Sequence, residues 1–203
     1  PTSRQAGTLP RLSPGQPVRY DFIVKAFRGN TSQALVFYFS PPGCLRLLDA
    51  EIDPANHLIP DDTLMREAAS LSSPQWILPS PQARLPGIYG PEPAHGWCYY
   101  FEQADLARQQ GDWQRVVQLG GQALHLNDYP NDPTERFVFI EGYAHTGDWR
   151  RAGELAADSF EVSPRYVGPL LCRLFDRLER ETPAGPARES SLNDFRTKFA
   201  CLP

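Results

Sequence analysis

The sequence predicts an α+β fold: a small β-rich N-terminal part packed on a C-terminal array of paired α-helices. Three observations predict it. Fourteen of the 21 prolines precede Ala94 and only two fall between Ala94 and Ser163, and proline interrupts regular helix. Apolar residues alternate near residue 20, but recur at helical spacing after Trp97. A ten-residue pattern in the second half repeats after 36 residues.

Residues 1–16 read as an extended arm, and 17–93 as a β-rich subdomain with Pro-rich loops. From Val18 to Phe27, Val18, Tyr20, Phe22, Val24 and Ala26 fall on one side of a strand. Arg28-Gly29-Asn30-Thr31-Ser32 is turn material, and the apolar run Ala34 to Ser40 predicts a buried second strand, hence a hairpin. Pro41-Pro42-Gly43 ends it, and Cys44 to Leu48 is a candidate third strand. Asp61 to Ser70 has the acidic start and good formers of a short helix. Trp76-Ile77-Leu78 is a candidate strand ahead of a Pro-rich linker at 79–93.

Residues 94–203 are periodic at 3.6. Trp97 to Gln110 aligns Trp97, Tyr100, Phe101, Ala104 and Ala107 on one face. Trp113 to Leu126 does the same with Val116, Val117, Leu119, Ala123 and Leu124. Asp132, Pro133 and Glu135 together mark the start of a third helix, and a fourth follows Trp149. Tyr166 to Arg180 predicts a fifth with a strong apolar stripe, and Ser191 to Cys201 a short sixth.

The ten-residue pattern is Ala107 to Val116 and again Tyr143 to Ala152, each built on a glycine–aspartate–tryptophan corner, Gly111-Asp112-Trp113 and Gly147-Asp148-Trp149. This segment, 97–163, resembles the tetratricopeptide repeat, whose period is about 34 residues. The family's glycine–polar–aromatic turn matches both corners. Its small residues match Ala152 and Ala123, with Val116 and Ser159 looser fits, and its closing proline matches Pro164. Ile140 departs from the pattern where the family has a small residue, and Asn127 to Asp132 makes a longer joint. Two units bury too little on their own, and about three are needed. The remaining burial is therefore expected from the N-terminal part or a partner.

A second resemblance is carried by Tyr38 to Arg46 (YFSPPGCLR) and Gly90 to Tyr100 (GPEPAHGWCYY). These look like the soluble C-terminal region of bacterial multi-pass membrane proteins. The resemblance implies a preceding membrane region and an extracytoplasmic position, but no reaction. The chain opens Pro1-Thr2-Ser3 without methionine, which fits an excised piece of a longer protein.

A formal charge of −4 with interspersed signs argues against a nucleic-acid footprint. No run is apolar enough for a span. The cysteines are Cys44, Cys98, Cys172 and Cys201, with no CxxC pair. Two disulfides are open to them in an oxidising compartment, in three connectivities, with Cys172–Cys201 ranked first because it ties the C-terminus to the last long helix. Buried free thiols are the equal alternative.

His95, Cys98 and Glu102 share one turn-spaced face, the geometry of a thiolate with a base. No oxyanion hole and no further metal ligand accompany them, so packing or a disulfide is preferred. Glu141 and His145, four apart, read as a solvated helix face. Asp49, Glu51 and Asp53 read as loop solvation or capping, since no 12-residue calcium loop surrounds them. Trp97, Trp113 and Trp149 read as fillers of the helix joints, and Asn30-Thr31-Ser32 is a weak glycosylation pattern. No catalytic, cofactor or metal site is expected. The expected function is a non-catalytic protein-interaction scaffold for a protein or peptide, with Tyr99, Gln103, Arg136, Glu141 and His145 as contact residues. The alternative is an accessory or substrate-positioning domain of a membrane-embedded transferase such as a glycosyltransferase, and a free-standing hydrolase ranks last.

Overall fold

The computed structural model describes residues 13–59, 63–78, 86–91 and 94–201. The expected arm and the Pro-rich linker fall largely outside these residues. The fold is α+β and mostly helical. Among the described residues no helix is long and apolar enough to cross a membrane.

The N-terminal part departs from expectation in where it turns. Strands β1 (Pro17–Phe22) and β2 (Lys25–Asn30) pair antiparallel with Phe22 opposite Lys25. The reversal is therefore at Ile23-Val24, inside the run read as one strand, and not at Arg28–Ser32. The apolar run 34–40 is not a buried strand either. Only β3 (Phe37–Tyr38) is extended in a ladder, against β4 (Arg46–Leu47). Leu35, Phe37 and Phe39 face outward while Val36 and Tyr38 turn inward, a period-two pattern that an all-apolar stretch conceals. Trp76-Ile77-Leu78 is not a strand, because Pro74–Trp76 forms a 3-10 turn. Helix α1 (Thr63–Ala69) supplies Ala69 to a small core with Leu48 and Ile59.

The second half follows its periodicity closely. Helices α2 (Trp97–Gln109) and α3 (Trp113–Ala123) pack on each other, as do α4 (Phe137–His145) and α5 (Trp149–Val162). The two corners are the same structure built twice. Gly111 and Gly147 have φ of +70° and +87°, which only glycine adopts without strain. Asp112 and Asp148 accept from the backbone N–H of Arg115 and Arg151, capping the helix that follows. Asp132 caps as its sequence predicts, but the turn it starts, Pro133–Arg136, is 3-10 before α4 begins.

The helix pairs also touch each other. Helix α3 packs on α4, with Gly120 against the ring of Phe139, where an added Cβ would come within 2.8 Å, and Gly142 against Val116. Helix α6 (Pro164–Glu181) packs on α4 and α5, burying Leu170, Leu171, Leu174, Phe175 and Leu178. Helix α7 (Pro186–Lys198) closes that end through Leu192 and a Phe175–Phe195–Phe199 cluster. Cys172 of α6 is bonded to Cys201, and Cys44 to Cys98 of α2. Burying these apolar side chains, about 1.5–3 kcal/mol each, is what holds the helices together.

Candidate functional site

Helices α2, α4 and α6 lie side by side, α4 packing on both neighbours. Their common face is occupied. Residues 44–56 run across it, and Cys44 and Ile52 belong to the same core as Phe101, Phe137 and Val138. The segment is fastened at one end by the bond to Cys98. Next to it the Cys44 N–H donates to Glu135 Oε1 at 2.9 Å and the Leu45 N–H to Glu102 Oε1 at 3.3 Å.

The charges of the segment reach α2 and α6 directly, and α4 through the arginines they share with Glu141. The buried Arg46 donates to Asp53 Oδ1 at 2.8 Å and to Asp132 Oδ2 at 2.7 Å. Asp53 also accepts from the Asp49 N–H at 2.7 Å and from Asn56 Nδ2 at 2.9 Å, so it shapes the loop from within. Asp49 lies 2.6 Å from Arg177 of α6 and 3.4 Å from Arg108 of α2. Both arginines pair with Glu141 of α4, which is 3% exposed, and Arg108 pairs with Asp105. On the rim Glu51 meets Arg180 at 2.7 Å, and its carbonyl accepts from Arg173. That rim pair is exposed and contributes little. The interior pairs matter because removing one partner strands a buried charge.

Electrostatics follow this geometry. Burial is the largest influence on Asp49 and acts to raise it, but Arg177 and Arg108 overcome that and hold its carboxyl below the usual range. Arg108 and Arg177 are held above the usual guanidinium value, their acidic neighbours outweighing burial. Burial pushes the Glu135 carboxyl up, against the Cys44 N–H it accepts. A cavity of about 50 Å³ remains between segment and helices, lined by Asp49, Arg108, Glu141 and Arg177 together with Ile52 and Phe101. It has room for a few waters and not for a substrate, which takes ~300 Å³ or more.

The expected contact residues separate. Gln103 is exposed and Tyr99 and Arg136 half-buried, while Glu141 is not on a solvated face at all but at the centre of the ion network. Its carboxylate meets Arg177 and Arg108 and is 3% exposed. His145 stacks flat on Trp113 at 3.7 Å, and burial pushes its imidazole below the usual value. The His95–Cys98–Glu102 group is taken apart. Cys98 is bonded to Cys44, Glu102 accepts from Leu45, and His95 stacks on Tyr99 at 3.5 Å. Trp97 and Trp149 are buried. Asp49 and Asp53 bind arginines and backbone. Among the described residues no group of three or more His, Cys, Asp or Glu is placed to hold a metal.

The sequence reading missed Arg46, Arg108 and Arg177. Arg108 and Arg177 sit on the inward stripes of α2 and α6, among Ala104, Ala107, Leu174 and Leu178. An arginine at an apolar position was the available signal. No family model matches the chain, and none of the curated proteins or solved structures compared with it matches either.

Proposed function

We propose that this chain is a non-catalytic interaction scaffold. Its tetratricopeptide-like helix pairs hold an acidic protein segment in the trough formed by α2, α4 and α6. One observation carries the reading: the trough already grips residues 44–56, with Arg108, Arg177 and Arg180 on Asp49 and Glu51. The segment serves as the resident example of what the surface accepts, an irregular stretch bearing carboxylates at alternate positions. In tetratricopeptide-like folds the first helix of each pair lines the concave surface, and α2, α4 and α6 hold that place in the order of elements. Two disulfides support an oxidising, extracytoplasmic location.

The test uses the full chain with Cys44→Ser and Cys98→Ser together with Asp49→Ala, which loosens the resident segment. A labelled synthetic peptide of residues 44–56, with serine for Cys44, is added and followed by fluorescence anisotropy. The loosened variant should bind the peptide saturably, and the unaltered chain should not. A variant that keeps its helical circular dichroism yet ignores the peptide, or one that loses its helices outright, would show the segment to be core and not ligand.

A further inference from the structure

The β1–β2 hairpin presents a different surface. Every residue from Pro17 to Arg28 is exposed. Tyr20 stands opposite Phe27 and Val18 opposite Gly29, and residues opposite each other, or two apart, share a face. One face of the ribbon therefore carries Val18, Tyr20, Phe22 and Phe27, at 40%, 62%, 59% and 60% exposure, together with Lys25, which stands opposite Phe22. The other carries Arg19, Asp21, Ala26 and Arg28. At the tip Ile23 and Val24 are 93% and 86% exposed. Ile23 has φ +38°, a conformation that strains a β-branched residue and that Asn-Gly would relieve in a two-residue turn. Apolar side chains are thus kept at the tip at the expense of backbone comfort.

Charge distinguishes what such a ribbon would meet. Arg19 stands opposite Arg28 in the register, a like-charge pair that destabilises an isolated ladder, and only Asp21, 3.0 Å from Arg19, offsets it. Pro17–Asn30 holds Arg19, Lys25 and Arg28 against that single acid, whereas the whole chain carries −4. The ribbon is a cationic, aromatic and apolar protrusion on an acidic protein. Among the described residues no third strand pairs with its outer edges, whose backbone groups need water within reach and so exclude the hydrocarbon interior.

We infer that the β1–β2 hairpin is an interfacial anchor for an anionic lipid bilayer. Val18, Tyr20, Phe22, Ile23, Val24 and Phe27 enter the headgroup boundary, where aromatic rings with one polar end are favoured. Arg19, Lys25 and Arg28 reach the lipid phosphates along their aliphatic stems. The anchor is separate from the trough and stands independently of the scaffold reading.

The experiment is flotation of the full chain with vesicles of phosphatidylcholine containing roughly one-third phosphatidylglycerol, beside pure phosphatidylcholine. The chain should float with the anionic vesicles and do so less as salt rises. Ile23→Asn with Val24→Gly installs the relaxed turn, so the hairpin is retained while two apolar side chains are removed. Its affinity should fall at least tenfold. Lys25→Glu with Arg28→Glu should lose about fivefold or more per residue on anionic vesicles only. Equal flotation of the tip variant, equal flotation on both vesicle types, or no flotation of the unaltered chain would each overturn the anchor. A dimer in solution that the tip variant reduces to a monomer, without vesicle binding, would assign the face to a second copy of this chain and also overturn it.

Discussion

The helical body and the β-hairpin handle their apolar side chains in opposite ways. In the body Phe139, Phe175, Leu170 and Leu174 are sealed from water by neighbours on several helices. In the hairpin Phe22, Ile23 and Val24 meet solvent over most of their surface. Charges invert the same way, since Glu141 and Arg177 are buried and paired while Arg19 and Arg28 stand outside. Stability therefore resides in the body, and the hairpin has surface to spare for contacts outside the chain.

The contrast is broken most severely through the buried network. Glu141→Ala takes from Arg177 and Arg108 one of the two buried acids they share, leaving Asp49 alone between them, so roughly 3–5 kcal/mol of stability should be lost. Arg19→Ala, which removes an exposed pair, should cost less than about 1 kcal/mol. Urea unfolding of the two variants measures the difference directly. Next in size is the bond from Cys44 to Cys98, which closes a loop of 54 residues. Replacing both by serine should lower stability by about 4 kcal/mol on the loop-entropy account, read from the denaturation midpoint of the unreduced proteins. Smaller again are the corners. Gly111→Ala and Gly147→Ala should each cost about 1 kcal/mol or more, and by similar amounts, since both glycines hold left-handed backbone in the same cap. A large inequality between them would mean the two corners are not equivalent.

A pH titration sharpens the comparison further. Burial, first, and Arg177 after it lower the His145 imidazole in the fold, against the pull of Glu141. The unfolded chain thus binds a proton more readily, and stability must fall as pH drops below the ordinary histidine value of about 6.5. The melting temperature should decline between neutral pH and about pH 5, and His145→Gln should flatten that slope. Smallest of all is the effect of Ile23→Asn with Val24→Gly on unfolding, expected within about 0.5 kcal/mol of zero. A large loss there would place the hairpin inside the cooperative body.

Legibility in the sequence divided along the same line. Helices were readable because their information is local. Gly111-Asp112-Trp113 and its repeat carry their own glycine, cap and first-turn aromatic, and Asp132-Pro133 announces its turn within two residues. The ion network was hidden because its members are distant: Asp49 and Arg177 are 128 positions apart and Arg46 and Asp132 are 86. No spacing rule links them. Asp49, Glu51 and Asp53 were visible as carboxylates but without partners, and Glu141 looked solvated because four-residue spacing says nothing of what lies across a helix. The β turn at Ile23-Val24 was unreadable for another reason, since β-branched residues ordinarily argue against a reversal. Cys98 next to His95 suggested chemistry only while Cys44 was out of view.

The two sulfur bridges also fix how the molecule would bear a mechanical load. Pulled from both ends, tension reaching Cys44 crosses to Cys98, and tension reaching Cys172 crosses to Cys201. The spans between, 54 and 29 residues in sequence separation, never feel it. At ~3.3–3.6 Å per residue they withhold about 180 Å and about 100 Å of contour from any stretched state. Helix α1 and the small core around Leu48 lie in the first shielded span, and α7 in the second, so a pull that uncoiled α3, α4 and α5 could draw out neither.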